Sequence, residues 1–339
     1  MLRELLILKY LNINGSLINF IAEQFSDEEK ALLFNGGALE LHFKYNIFDD
    51  EHLTMFYDDN KLKTAQQYVD TLIEKSKEQN IKILSYYDDE YPAKLKAIKK
   101  SPLFIYVKGN VKALKKSESI ACVGARTPSS ESIELVKNIV GDMVKEDILI
   151  ISGLAKGIDA HAHKVCLSNG GKTIAIMAHG LDTIYPKENS KLAEAILDSG
   201  GALISEYPIG TESRKQNFVA RNRLISGLSE GVVVFEASEK SGTMHTARFA
   251  YTQGKKIFCP TLKNEVLSSG VQKLLSTGSA LPITNASDII NQLFRTMNIE
   301  IQYQSYKTLE KISKNKGISI NDLLNLAIVN FIKGDNGDE

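Results

Sequence analysis

The chain opens with apolar residues at helical spacing, Leu2, Leu5, Leu6 and Leu8, then Ile18, Ile21 and Phe25, interrupted at Asn14-Gly15 and Gly36-Gly37. Recurrence every three to four residues between breakers predicts a small helical domain over residues 1–75. IKILSYYDDEYP then supplies one strand and a turn, and Pro92 bars its continuation because it has no amide for a ladder. From residue 103 the rhythm changes, and apolar β-branched runs alternate with amphipathic stretches of helix length. The predicted strands are Leu103–Val107, Ser119–Val123, Ile148–Ile151, Thr173–Met177, Ala202–Ile204, Gly231–Phe235 and Lys256–Cys259. Runs apolar on both faces and separated by helices predict a mostly parallel sheet covered on both sides. Gly170-Gly171 and Gly200-Gly201 stand where helices should stop before the next strand. The fold class read from this is α/β, an extended, doubly wound, Rossmann-like domain over residues 76–294.

The segment 295–339 has a different pattern. After a helix near Ser287–Phe294, NIEIQYQ alternates Ile299, Ile301 and Tyr303 with Glu300, Gln302 and Gln304, a period of two that predicts a strand. SYKTLEKISKNKG predicts a helix closed by Gly317, and SINDLLNLAIVNFIKG a second one with Ser319 as N-cap. A strand and two short helices bury little alone. This β-α-α module resembles a ribbon-helix-helix unit, in which two chains pair their strands, so a homodimer is expected; strand-mediated DNA reading is the lesser expectation.

Charge changes the picture little. The formal net charge of the 339 residues is zero, but residues 1–75 carry 7 Lys/Arg against 13 Asp/Glu, leaving +6 on the remainder. That excess is compatible with a polyanionic partner. Asp49-Asp50-Glu51 and Asp58-Asp59 read as solvated surface. Cys122, Cys166 and Cys259 lie in or beside apolar runs without CxxC spacing, as buried thiols in a reducing cytoplasm do. MLRELLILKYLNI is helix-periodic and lacks a basic leader, so neither a signal peptide nor a membrane span is expected.

Chemistry concentrates in ILIISGLAKGIDAHAHKVCL, residues 148–167, where a strand runs into a glycine loop and then a helix. Gly153 and Gly157 leave the loop bare for a ligand, and the helix start attracts anions. GGKT at 170–173 is no P-loop, since Cys166 stands where a glycine is required and the segment precedes a strand. No strand leads into GxGxxG, so a nicotinamide or flavin cofactor is not expected. His161 and His163 point to different faces of a helix, which with Cys166 makes no recognisable zinc spacing. Asp159 reads as a cap, and no catalytic nucleophile emerges. Four further segments fall at predicted strand ends on the same edge: Gly124-Ala125-Arg126, GLDTIYPKEN, SEYP and EASEKSGTMHTA. In the last, Ser241-Gly242-Thr243 opens a helix and forms a second backbone cradle for an anion. FVARNR, residues 218–223, sets one aromatic ring beside two guanidinium groups, which suits stacking on bases and pairing with phosphates.

With DDEYPAKL, VKGN, VGAR, SGLAKGIDAHAH, GKTIAIMAHGLDTIYPKEN, GGALISEYPIG, RNRLISGLS and EASEKSGTMHTA in order, residues 81 to about 283 resemble the DNA-processing protein A family, DprA or Smf. The resemblance implies an extended Rossmann fold that binds single-stranded DNA in a basic pocket. It further implies hand-over of the strand to a RecA-type recombinase during natural transformation, as a dimer and without catalysis. Carried over by position, the pocket comprises Arg126, Gly153, Lys156, Gly157, Lys187, Asn189, Phe218, Arg221, Asn222 and Arg223, with the Ser241-Gly242-Thr243 turn beside them. The chain departs from the family pattern at Ala125, Ser132, Val219 and Thr261, and in its ribbon-like tail. Two alternatives are a phosphoribohydrolase of related fold and a DNA-binding regulator acting through the tail. The first expects a glutamate where Thr246 stands.

Overall fold

The computed structural model describes residues 1–339 except 262–266, 295–300 and 336–339, with side chains of the last helix described as far as Ile328. Six helices come first: α1 Leu2–Tyr10, α2 Gly15–Gln24, α3 Asp27–Leu33, α4 Ala38–Tyr45, α5 Asp50–Phe56 and α6 Asp59–Glu78. Their starts are capped as the sequence allows, by Asn14, by a Ser26–Glu29 capping box, and by Asp49 and Asp58, whose carboxylates accept from His52 N and Lys61 N. Part of each acidic patch therefore terminates a helix.

The sheet follows, with β1 Ile81–Ser85, α7 Ala93–Lys96, β2 Phe104–Gly109, β3 Ser119–Val123, α8 Ser130–Lys145, β4 Leu149–Ser152, α9 Ile158–Ser168 and β5 Thr173–Ile176. It continues with α10 Ser190–Asp198, β6 Ala202–Ser205, α11 Lys215–Leu228, β7 Gly231–Val234, α12 Thr243–Thr252, β8 Lys256–Pro260, α13 Ser269–Ser276, β9 Leu281–Ile283 and α14 Ala286–Leu293. The strand order is β1-β2-β6-β5-β4-β3-β7-β8-β9; β2 is antiparallel to both its neighbours and the other pairs are parallel. The expected strands are present within a residue or two of their predicted ends. The short edge strand β9 was not legible: it contains Pro282, which an edge position tolerates because the missing amide faces no ladder.

Period two distributes each strand between two cores. On one face Ala121, Val123, Ile151, Ile176 and Val232 meet residues of α7, α11, α12 and α13. On the other, Ile120, Cys122, Ile150 and Phe258 meet α8, α9 and α14, while Ile83, Tyr106, Ala175 and Leu203 meet α10 and the opening helices. Helices α1 to α6 thus share one core with the sheet, and α6 continues beyond residue 75 to Glu78. All three cysteines are free and buried. Among the described residues no helix is long and apolar enough to cross a membrane.

The chain separates into two compact units, Met1–Phe294 and Arg295–Glu339. In the second, α15 spans Tyr303–Lys316, Gly317 (φ +64°) caps it in the left-handed region, and α16 spans Ile320–Asp335 with Ser319 Oγ accepting from Asp322 N. The two helices match the prediction. Of the predicted ribbon strand, Tyr303 and Gln304 instead open α15, where Lys307 Nζ sits 5.7 Å from the Tyr303 ring one turn on. Its residues 298–300 lie outside the described residues. Local side-chain packing at helical spacing outweighs a short period-two alternation.

A core shared by the opening helices and the sheet predicts that the first unit unfolds as one body. Leu5→Ala, at a fully buried site in α1, should cost about 2–5 kcal/mol and move one common urea transition reported by both helix and sheet signals. Two separated transitions would contradict it.

Candidate nucleic-acid interface

Strands β3 to β6 progress in one direction from β3, and the chain then returns to place β7 on the other side of β3. The reversal opens a crevice at the carboxyl ends of β3 and β7, where ligands bind in open α/β sheets. A cleft of about 490 Å³ lies there. Residues Gly124–Thr127 after β3, Phe218, Arg221 and Asn222 of α11, and the Ser241-Gly242-Thr243 turn entering α12 line it. The structure therefore brings together Arg126, Phe218, Arg221, Asn222, Ser241, Gly242 and Thr243 from distant parts of the sequence.

The glycine loop after β4 stands at the side of this cleft, and its cradle is already filled. Asp159, 7% exposed, accepts from Gly153 N at 3.1 Å and from Ala155 N at 3.4 Å. Burial pushes its carboxyl pKa up, against Arg221 and those amides, which pull it down. Arg221 is 4% exposed; its Nη1 donates to Gly153 O at 2.8 Å and, more closely, to Ile176 O. Burial lowers its pKa to about 10 despite Asp159. A Cβ on Gly153 would come within 2.7 Å of the Arg221 guanidinium, and one on Gly157 (φ +76°) within 2.2 Å of Ala125 O. Both glycines thus admit the protein's own groups, not a ligand, which corrects the bare-loop reading. Between them Leu154 sits at φ +56° with its side chain fully buried, a conformation costing a branched residue about 1–3 kcal/mol. The buried Asn189 holds it there, donating Nδ2 to Leu154 O at 2.9 Å. Lys156 is exposed and ion-paired to Glu188 at 2.6 Å.

The open part of the cleft differs in character. Arg126 is exposed, with its guanidinium carbon 6.0 Å from the Phe218 ring centre. Tyr185, 47% exposed, lies 5.6 Å from the same ring; sequence reasoning passed over it, though the run IYPKEN contained it. Lys187 is exposed on the adjoining turn. Asn222 Nδ2 donates to Gly242 O at 3.2 Å and Thr243 Oγ1 to Gly124 O at 2.9 Å, strapping the turn to α11 and β3. A Cβ on Gly242 would meet nothing within 4 Å, so this backbone turn at the head of α12 is accessible. Glu236 also lines the cleft, but its carboxylate is engaged by Ser129 N at 2.9 Å.

Arg223 is the clear departure. Two residues from Arg221 on a helix, it points elsewhere, and its Nη2 is 2.5 Å from the half-buried Glu206 with Nε on Lys100 O at 3.2 Å. It is a paired charge outside this cleft. His163 is fully buried, 2.7 Å from Thr173 Oγ1, and burial assisted by Arg221 holds its pKa down at about 3. Among the described residues no group of His, Cys, Asp or Glu is arranged to hold a metal. Thr246 is buried at 1% exposure.

Arg221→Ala should lose about 3–5 kcal/mol of stability, because it leaves the Asp159 carboxylate buried without its cation; Asp159→Asn combined with it should recover part of that loss in chemical denaturation. Additive losses would contradict the coupling. His163, with a folded pKa below its unfolded value, contributes stability that is full above about pH 6.5 and lost as the pH falls toward 3, at about 1.4 kcal/mol per pH unit. His163→Gln should show a correspondingly shallower decline over that window; an unchanged slope would rule the histidine out as its source.

Comparison with known proteins agrees with this geometry. The model of the family described as DNA recombination-mediator protein A matches residues 82–294. DNA processing protein DprA of Bacillus subtilis is 37% identical over 218 residues, covering 64% of this chain and 73% of that protein. The Streptococcus pneumoniae protein is 39% identical over 207 residues, covering 61% and 72%. The X-ray structure of the latter species' DprA covers 79% of this chain and 98% of its own at 30% identity, with a TM-score of 0.62. The Helicobacter pylori DNA processing protein A, described for its single-stranded DNA binding mode, covers 63% and 96% at 31% identity, with a TM-score of 0.57. With the family match spanning well over half of its length, this chain belongs to the DNA recombination-mediator protein A family.

Proposed function

We propose that the protein binds single-stranded DNA at the carboxyl edge of its sheet, without catalysis and without reading sequence. The carrying observation is the open corner where Arg126 and Tyr185 flank Phe218 beside the accessible Ser241-Gly242-Thr243 turn. An exposed guanidinium and the open backbone at Gly242 suit phosphates, and the two rings suit bases of any identity. Arg126, Lys187, Phe218 and residues 241–243 touch the strand in this reading. Gly153, Gly157, Asn189, Arg221 and Asn222 shape the wall, and Lys156 is released to phosphate only when Glu188 lets go. Family membership and the single-strand description of the Helicobacter relative support the substrate. Hand-over of the strand to a RecA-type recombinase during natural transformation, in the cytoplasm and as a homodimer, extends the same reading on the strength of the family.

Arg126→Ala should weaken single-strand binding by about 1–3 kcal/mol and flatten the dependence of log K on log salt by about 0.7 for each phosphate that is no longer neutralised, measured by anisotropy titration against single-stranded and duplex oligonucleotides. Equal affinity of variant and parent at low salt would sink the corner as the binding site. Incubation with nucleoside monophosphates should release no free base; release would favour the phosphoribohydrolase alternative.

A further inference from the structure

A second, larger cleft of about 750 Å³ opens on the same edge of the sheet beyond β6. Because β2 is antiparallel to β6, the segment entering it, residues 101–104, meets the carboxyl end of β6 at Glu206 and Pro208; β1, antiparallel to β2, delivers Tyr86 there. The opposite wall is helical and includes Lys9 and Tyr10 of α1 and Tyr68 of α6. Helix α11 lies between the two clefts, with Arg221 and Asn222 lining the first and Arg223 the second.

Two features give the second cleft its chemistry. Tyr10 and Tyr68 stack with ring centres 4.4 Å apart and remain 43% and 41% exposed, so a paired aromatic face looks outward. Lys9 is exposed, and the Lys96 ammonium lies over the Tyr86 ring at 5.2 Å. Glu206 is neutralised by Arg223, leaving two ammonium groups against Glu23 on the rim. We propose that this cleft takes a further nucleotide unit of the same DNA strand, its base on the Tyr10–Tyr68 face and its phosphates beside Lys9 and Lys96. The proposal rests on the single-strand reading of the first cleft. Continuity along one edge through α11, aromatic rings without sequence preference and the excess of cations argue for it together.

The test titrates full-length protein at fixed low salt with oligothymidines of about 6 and about 24 nucleotides, bracketing one site and an extended path. Tyr68→Ala and the surface variant Lys9→Glu should each bind the long strand about tenfold more weakly and the short one unchanged, whereas Arg126→Ala should weaken both. Parental affinity for the long strand in both variants, or equal weakening at the two lengths, would overturn the second subsite while leaving the first. Failure of the parent to bind either length would overturn both readings. Saturable binding of thymidine monophosphate that Tyr68→Ala abolishes, with long-strand affinity unchanged, would transfer the cleft to free nucleotides and overturn the strand path.

Discussion

The buried guanidinium of Arg221 is the group on which the carboxyl edge depends. A charge inside a protein is tolerated only when its donors are satisfied and an opposite charge is near. Here the carbonyls of Gly153 and Ile176 take Nη1 and tie α11 to the loops after β4 and β5, and Asp159 supplies the opposite charge, so the demand is met in part, with Nε left buried without a partner. Other features follow from it. A side chain at residue 153 would have to displace the guanidinium, which occupies the space of a Cβ. Leu154 can be held in the left-handed region because both neighbours of the turn are pinned. Phe218, one turn earlier on α11, has its ring 5.8 Å from the same guanidinium and is thereby fixed at the mouth of the cleft.

This arrangement divides the work between two helix starts that look alike. Before α9 the loop amides of Gly153 and Ala155 are taken by the chain's own Asp159 and that of Ile158 by Ala125 O, so the loop is an internally bonded structure. At the head of α12 the turn is open, strapped from behind by Asn222 and Thr243 and bare in front. The same chemistry that stabilises an anion serves folding in one place and stays available to a ligand in the other. The sheet's reversal of direction between β3 and β7 sets the open turn opposite Arg126. The antiparallel pair β1–β2 brings a second set of aromatic and cationic groups to the same edge.

Much of this was legible beforehand. Apolar β-branched runs at regular spacing marked eight of the nine strands, since a strand buried on both faces leaves a continuous hydrophobic signature. The ninth did not, being three residues long with a proline in its centre. The tail shows the opposite failure: Ile301 and Tyr303 satisfy a period of two, but so short an alternation carries less information than the helical spacing of Tyr303 and Lys307 that follows it. Arg126, Phe218 and the residues 241–243 were legible as a converging group. Tyr185 was not, because an aromatic within an irregular segment carries no periodicity to reveal its exposure.

FVARNR shows where the boundary lies. Sequence by itself determined that residues 218–223 fall between two segments of the carboxyl edge, and that one ring and two guanidinium groups come close together. Only the tertiary structure decided that Arg221 is interior, Arg223 is paired with Glu206, and Phe218 with Arg126 forms the accessible corner. The reason is geometric and electrostatic together. Residues two apart on a helix diverge by about 200°, so the two arginines cannot serve one surface, and the groups that fix each of them, the Gly153 and Ile176 carbonyls and the Glu206 carboxylate, come from chain segments whose proximity exists only after folding.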